Sequence, residues 1–272
     1  MAEVKLRLQF SKWFVILGVA VLALPVAAQP AAPSIEDVVT GIKKADYEGD
    51  LPALDRLYGE TEPFLAKKEI ASRVRYWRGF AMWRKGINGF NDSIDAKVLE
   101  RALKLAITEF EAALVEDPSF TDAKLANVSC QGYILYIHRT EMDLVKPSIP
   151  RLVQLTQECM KADPDNPRLA WIRGPQLWNT PPARGGGQDA AIALYEKGLE
   201  LWRREQVHPK GPLEPTWGEP ELYMSLAYSY QNRDQPDLRL AEGYAMRALK
   251  LVPYWHYLRD ILLPSIRKSA GK

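Results

Sequence analysis

The chain has 272 residues, room for one large domain or two small ones, and its 36 basic and 34 acidic residues leave a formal charge of +2. Removing an N-terminal segment that carries Lys5, Arg7, Lys12 and Glu3 leaves 33 of each sign, so the remainder is neutral. A neutral surface offers no long-range attraction to a polyanion, which argues against nucleic acid as a partner.

In chain order, the first element is that N-terminal segment. Lys5, Arg7 and Lys12 form a basic region, Trp13 to Leu24 is an apolar run ending at Pro25, and Val26-Ala27-Ala28 supplies small residues for a peptidase. The expectation is a signal peptide over 1–28, cut after Ala28, and a periplasmic or secreted mature protein. The alternative is an uncleaved anchor, although the run falls short of the roughly 20 apolar residues that span a bilayer. No cysteine lies near the cleavage site, so a lipoprotein anchor is excluded. After cleavage the chain has no expected membrane insertion.

Residues 29–34 (Gln-Pro-Ala-Ala-Pro-Ser) read as an extended linker, and Ser34 with Asp37 reads as a capping box for the next helix. Ile35, Val38, Val39 and Ile42 form its apolar stripe, and a second helix is predicted over Leu51–Lys68, so 35–69 is an N-terminal helical pair. Helices then come in pairs over 70–270. Ile70–Lys85 goes with Ile94–Glu116, Thr121–His138 with Pro150–Ala162, Arg168–Trp178 with Gln188–Glu205, and Pro220–Gln231 with Leu238–Leu251. Trp255–Lys268 leaves room for one capping helix. Strand-like alternation is absent, so the fold is expected to be all-α.

Ala106, Phe110, Ala113 and Pro118 form a small–aromatic–small stripe closed by proline, with Gly79 as the small residue of the preceding helix. Near the C-terminus Tyr223, Leu226, Ala227 and Tyr230 precede Ala241, Ala248 and Pro253, with Ala245 in the aromatic place. This pattern resembles the tetratricopeptide repeat (TPR) over roughly residues 70–253. The resemblance implies a TPR-like solenoid, a right-handed α-α superhelix of antiparallel pairs that binds other molecules and rarely carries out chemistry. The spacing departs from it: the terminal prolines lie 46 and then 89 residues apart, against about 34 in the family. An irregular α-solenoid of similar topology also satisfies the middle of the chain.

Several residues are candidates for function. The loop Asn179 to Asp189 holds Arg184, Gly185, Gly186 and Gly187, where glycine N–H groups before a helix can meet an anion. The other reading is a long turn that caps the next helix. Trp77, Trp83, Trp171, Trp178, Tyr223 and Tyr230 lie in predicted first helices, which line the concave face in the family. Trp83 and Trp178, with Arg84 and Arg173 nearby, are the binding candidates, while Trp77, Tyr223 and Tyr230 read as core. Cys130 and Cys159 form either a disulfide or two buried free thiols.

Catalysis finds no residue set. His138, His208 and His256 are scattered, the acidic pairs Glu36/Asp37 and Glu219/Glu221 read as solvated helix starts, and no metal or cofactor is implied. The expected function is therefore non-enzymatic, an exported scaffold that holds a protein or peptide partner in a concave groove. The alternative is a small-molecule-binding accessory of a transporter, centred on Trp178–Gly187. An open groove favours the first and a closed, tryptophan-lined cavity the second.

Overall fold

A computed structural model describes residues 32–208 and 210–271. The expected signal peptide, its cleavage point and residues 29–31 of the linker lie outside them. Every described element is helical, as the missing alternation anticipated: α1 (Ile35–Glu48), α2 (Leu51–Glu60), α3 (Ala71–Asn91), α4 (Ala96–Glu116), α5 (Thr121–Ile137), α6 (Met142–Ala162), α7 (Pro167–Trp178), α8 (Gln188–Glu205), α9 (Glu219–Asn232), α10 (Leu238–Leu251) and α11 (Leu263–Ser269). Among the described residues no helix is long and apolar enough to cross a membrane.

The helix ends obey local chemistry. Ser34 caps α1: its Oγ accepts from the Asp37 N–H at 3.1 Å, and the Asp37 carboxylate takes the Ser34 N–H at 3.0 Å. Gly49, with φ 69°, stops α1 in the left-handed conformation. Pro118, Pro164 and Pro253 each fall two residues beyond the end of α4, α6 and α10, where proline bars another helical turn.

Consecutive helices pack in pairs, and small residues set how closely. A Cβ on Gly79 of α3 would lie 2.7 Å from the Phe110 ring of α4, and one on Gly174 of α7 would lie 2.1 Å from the Tyr195 ring of α8. In both pairs the aromatic of the second helix rests on bare backbone of the first. The same contact therefore recurs at two points of the chain. In α9 and α10 the matching positions are small, and Ala227, Ala241, Ala245 and Ala248 are fully buried.

Two expectations need correction. The second helix of the α5–α6 pair begins at Met142, not Pro150, so the turn lies at 138–141. Pro147 and Pro150 are accommodated because both lie on solvent, where water can take the carbonyls they leave free. The predicted second helix over Leu51–Lys68 is α2 followed by a separate 3₁₀ turn at Glu62–Ala66. After α10, a π-helical turn at Tyr257–Leu262 leads into α11. Leu258, Leu262 and Ile266 cover the end of the alanine seam.

Candidate functional site

The predicted site residues do not converge. Trp83 has no exposed surface, and Arg84 is 3% exposed. Arg173, midway along α7, and Trp178, at its end, are half-buried, with Trp178 packed on the main core. Arg184 is exposed. The glycine loop spends its amides on itself: the N–H groups of Gly185, Gly186 and Gly187 donate to the carbonyls of Pro182, Pro181 and Leu177. That is turn geometry, and it leaves none of these three glycine N–H groups free for an anion. Cys130 and Cys159 are buried free thiols, with burial pushing Cys159 up to about 11 and Cys130 well above the ordinary thiol.

The convergence lies elsewhere. Helix α1 packs on α3, and Tyr47 at its C-terminal end reaches Glu221 of α9 and the ring of Trp255. The segment 210–218, which leads into α9, folds back onto α3 as well. Trp77 Nε1 donates to the Leu213 carbonyl at 2.8 Å, Trp217 Nε1 donates to the Tyr76 hydroxyl at 2.9 Å, and Arg73 holds Glu214 at 2.7 Å. Leu213 and Trp217 thereby join the core formed by α1, α3, α7 and α9. Gly218, at φ 140°, lets the chain turn from this segment into α9.

Where these elements meet, three charged groups, Asp46, Arg84 and Glu221, are enclosed, with Lys43 half-buried beside them. Arg84 of α3 donates through Nε to the Asp46 carboxylate of α1 at 2.7 Å, and Asn88 caps the other Asp46 oxygen at 3.0 Å. Arg84 Nη2 lies 3.5 Å from Glu221 Oε1, which also accepts from the Tyr47 hydroxyl at 2.8 Å. The guanidinium carbon sits 5.4 Å from the ring centres of Phe80 and Trp171, and 5.9 Å from that of Trp217. Aromatic faces suit a delocalised cation, so the box solvates what water no longer reaches. Lys43 extends from α1 over the Trp77 ring at 4.9 Å.

The electrostatics follow from burial. Burial raises the Glu221 carboxyl above its usual value although Arg84 opposes the shift, and burial lowers Lys43 although Glu221 opposes that. Within this charged cluster two buried atoms have no hydrogen-bond partner among the described residues, Arg84 Nη1 and Glu221 Oε2. A cleft of about 180 Å³ lies beside the cluster, lined by Lys43, Asp46, Tyr47, Phe80, Thr216, Trp217, Pro220 and Glu221. Glu221 was expected to be a solvated helix start. Instead it is wholly buried, because α1 lies across the first turn of α9. Lys43 and Asp46 were not singled out in the sequence. The available signal was spacing, since Asp46 falls four residues after Ile42 on the buried stripe of α1.

A second feature is apolar and open. Only Thr156 and Cys159 of α6 are fully buried. Met142, Ile149 and Val153 recur at helical spacing along one side and stay 43–49% exposed, with Tyr136 of α5 at 56%. Among the described residues no cluster of His, Cys, Asp and Glu is placed to hold a metal ion. His138 lies against Glu100 and Glu141, and His256 against Asp92 and Asp260.

Comparison with family models, with curated proteins and with solved structures finds no match.

Proposed function

We propose that this chain is an exported, non-enzymatic helical-repeat protein of TPR-like build, its antiparallel pairs winding into a right-handed superhelix, and that it works by binding a protein partner. In such a superhelix the first helices α3, α5, α7 and α9 face inward. On this reading α1 and the 210–218 segment, which pack on α3, fill the face where the family takes an extended peptide. The reading therefore moves the docking surface from the groove to α5–α6.

One observation carries it, the exposed row of Met142, Ile149 and Val153 on a helix that buries only two residues fully. Contiguous exposed apolar rows mark interaction surfaces, and a helix with one side uncovered suits a partner's amphipathic helix. A photo-cross-linking residue at Val153 should give one discrete adduct in the export compartment, lost on Ile149→Asp, while the same residue at Glu200 of α8 gives none. Equal adducts at both positions, or none at either, would refute the reading. An adduct of twice the chain's own mass would replace the partner by a second copy.

A second reading, a small-molecule-binding accessory of a transporter, is supported by the aromatic-walled cleft beside Glu221. It sits about Lys43 and Trp217, not about Trp178–Gly187.

A further inference from the structure

We infer that the partner α6 takes is a second copy of this chain, packed antiparallel about a two-fold axis at the level of Arg151. This rests on the α6 docking reading and names its partner.

The inference comes from a symmetry in the apolar row. Met142 and Ile149 are seven residues apart, Ile149 and Val153 four, and Val153 and Met160 seven. Those spacings return to one side of an α-helix. Met142, Ile149 and Val153 are exposed and Met160 is half-buried, so the row runs most of the length of α6, about 27 Å at 1.5 Å per residue. The series seven, four, seven reads the same from either end. A two-fold contact between identical helices needs that property, because if residue i meets j, then j must meet i. Turned end for end about Arg151, Met142 comes level with Met160 of the second copy, and Ile149 with its Val153. Flexible methionines then close the two ends, and β-branched side chains meet at the centre. A foreign helix would place no such demand on the row.

The charges obey the same symmetry. Asp143 and Lys161 each follow an end methionine and stand 18 residues apart, which is five full turns, so they share one flank of α6. Both are exposed, and among the described residues neither forms an ion pair. An antiparallel two-fold sets each flank beside the same flank of the other helix. Asp143 then meets Lys161 of the second copy at one end, and Lys161 meets its Asp143 at the other. A parallel pair would instead leave Asp143 level with a second Asp143, so the charges select the antiparallel arrangement.

Sedimentation equilibrium of the full chain tests this. The wild type should show a monomer–dimer equilibrium. Ile149→Asp, which sets a carboxylate at the centre of the contact, should leave a monomer with an unchanged circular dichroism spectrum. Asp143→Lys and Lys161→Asp should each weaken dimerisation by about tenfold or more, since each brings like charges together at both ends. An equimolar mixture of these two variants should recover the dimer, because one chain then carries two lysines and the other two aspartates. A wild type that stays monomeric, a dimer that survives Ile149→Asp, single charge variants that dimerise as tightly as the wild type, or a mixture that does not recover would overturn the inference. The cross-linking residue at Val153 separates the failures. A monomer that gives a discrete adduct of foreign mass would sink the second copy and keep docking on α6, whereas a monomer with no adduct would sink both.

Discussion

Arg168→Met tests how the segment after α8 is held. Arg168 starts α7 with no exposed surface, and its guanidinium bonds to Asp122 of α5 and through both nitrogens to Glu205 at 2.6–2.7 Å. Burial works against the charge on Glu205, yet Arg168 and Lys210 hold its carboxyl below the ordinary range. Methionine fills similar volume but leaves two nearly buried carboxylates without the guanidinium, Asp122 with no cation and Glu205 with Lys210 alone. Breaking a buried pair in this way costs about 3–5 kcal/mol. For a chain of this size each kcal/mol shifts the melting point by roughly 2–4 °C, so a fall of about 6–20 °C is expected in a thermal melt followed by circular dichroism. The sign with pH is fixed: a depressed carboxylate contributes above its unfolded pKa of about 4.3 and ceases to do so as pH falls through the folded value. The wild-type advantage over Arg168→Met should therefore shrink on acidification. Adding Asp122→Leu and Glu205→Leu to the variant should recover part of the loss, because the uncompensated charges go too. A single-variant loss under about 1 kcal/mol, or an advantage that grows towards low pH, would refute the account.

Glycines distinguish close contact from open space. Gly174→Ala should destabilise by about 1–3 kcal/mol through overpacking on Tyr195, whereas Gly132→Ala in α5, with nothing within 4 Å, should stabilise by about 0.4–1 kcal/mol in urea titrations. In the glycine loop, Gly186→Val should lower the melting temperature, since even its Cβ would lie 2.3 Å from the Thr180 carbonyl oxygen. Arg184→Ala should change stability by less than about 0.5 kcal/mol. Neither Cys130 nor Cys159 should react with an alkylating reagent in the native protein, and both should react after denaturation without reductant.

Much of the fold was legible because its signals are local. The capping box at Ser34 and the three helix-ending prolines act within one or two turns. The Gly79–Phe110 contact was readable because a small residue and an aromatic meet inside one helical pair. The misreadings share a different cause. Pro147 and Pro150 argue against helix by local rule, and they are tolerated because α6 faces water. Glu221 follows the rule for acidic residues in a first helical turn, yet it is buried by an element 174 positions away in the chain. The segment 210–218 has no periodicity to read, and Leu213 and Trp217 acquire meaning only when the chain folds back onto Trp77 and Tyr76. The legible part therefore places the pairs, while the candidate cleft lies where elements distant in sequence close on them.

That closure sets how the chain should unfold. In a simple repeat array each unit touches only its neighbours, so the end unit frays first and at little cost. Here the C-terminal units are tied back to the first helices. Tyr47 bonds to Glu221, Tyr47 packs edge-on against Trp255 at 5.0 Å, and His256 Nε2 lies 3.0 Å from the Asp92 carboxylate just after α3. Amide exchange in α10 should therefore report the same opening free energy as α3 in the wild type. Tyr47→Ala with His256→Asn should release α10 and α11 to exchange early while leaving α3 slow. The histidine tie also gives a direction with pH. Its bonds to Asp260 and Asp92 raise His256 above its usual pKa. Its contribution is then complete below about 6.5 and fades as pH climbs through the raised value. Protection of α10 relative to α3 should decline on going from mildly acidic to alkaline pH, and His256→Asn should remove that dependence. If α10 exchanges well ahead of α3 in the wild type at pH 6, the ties do not couple the two ends.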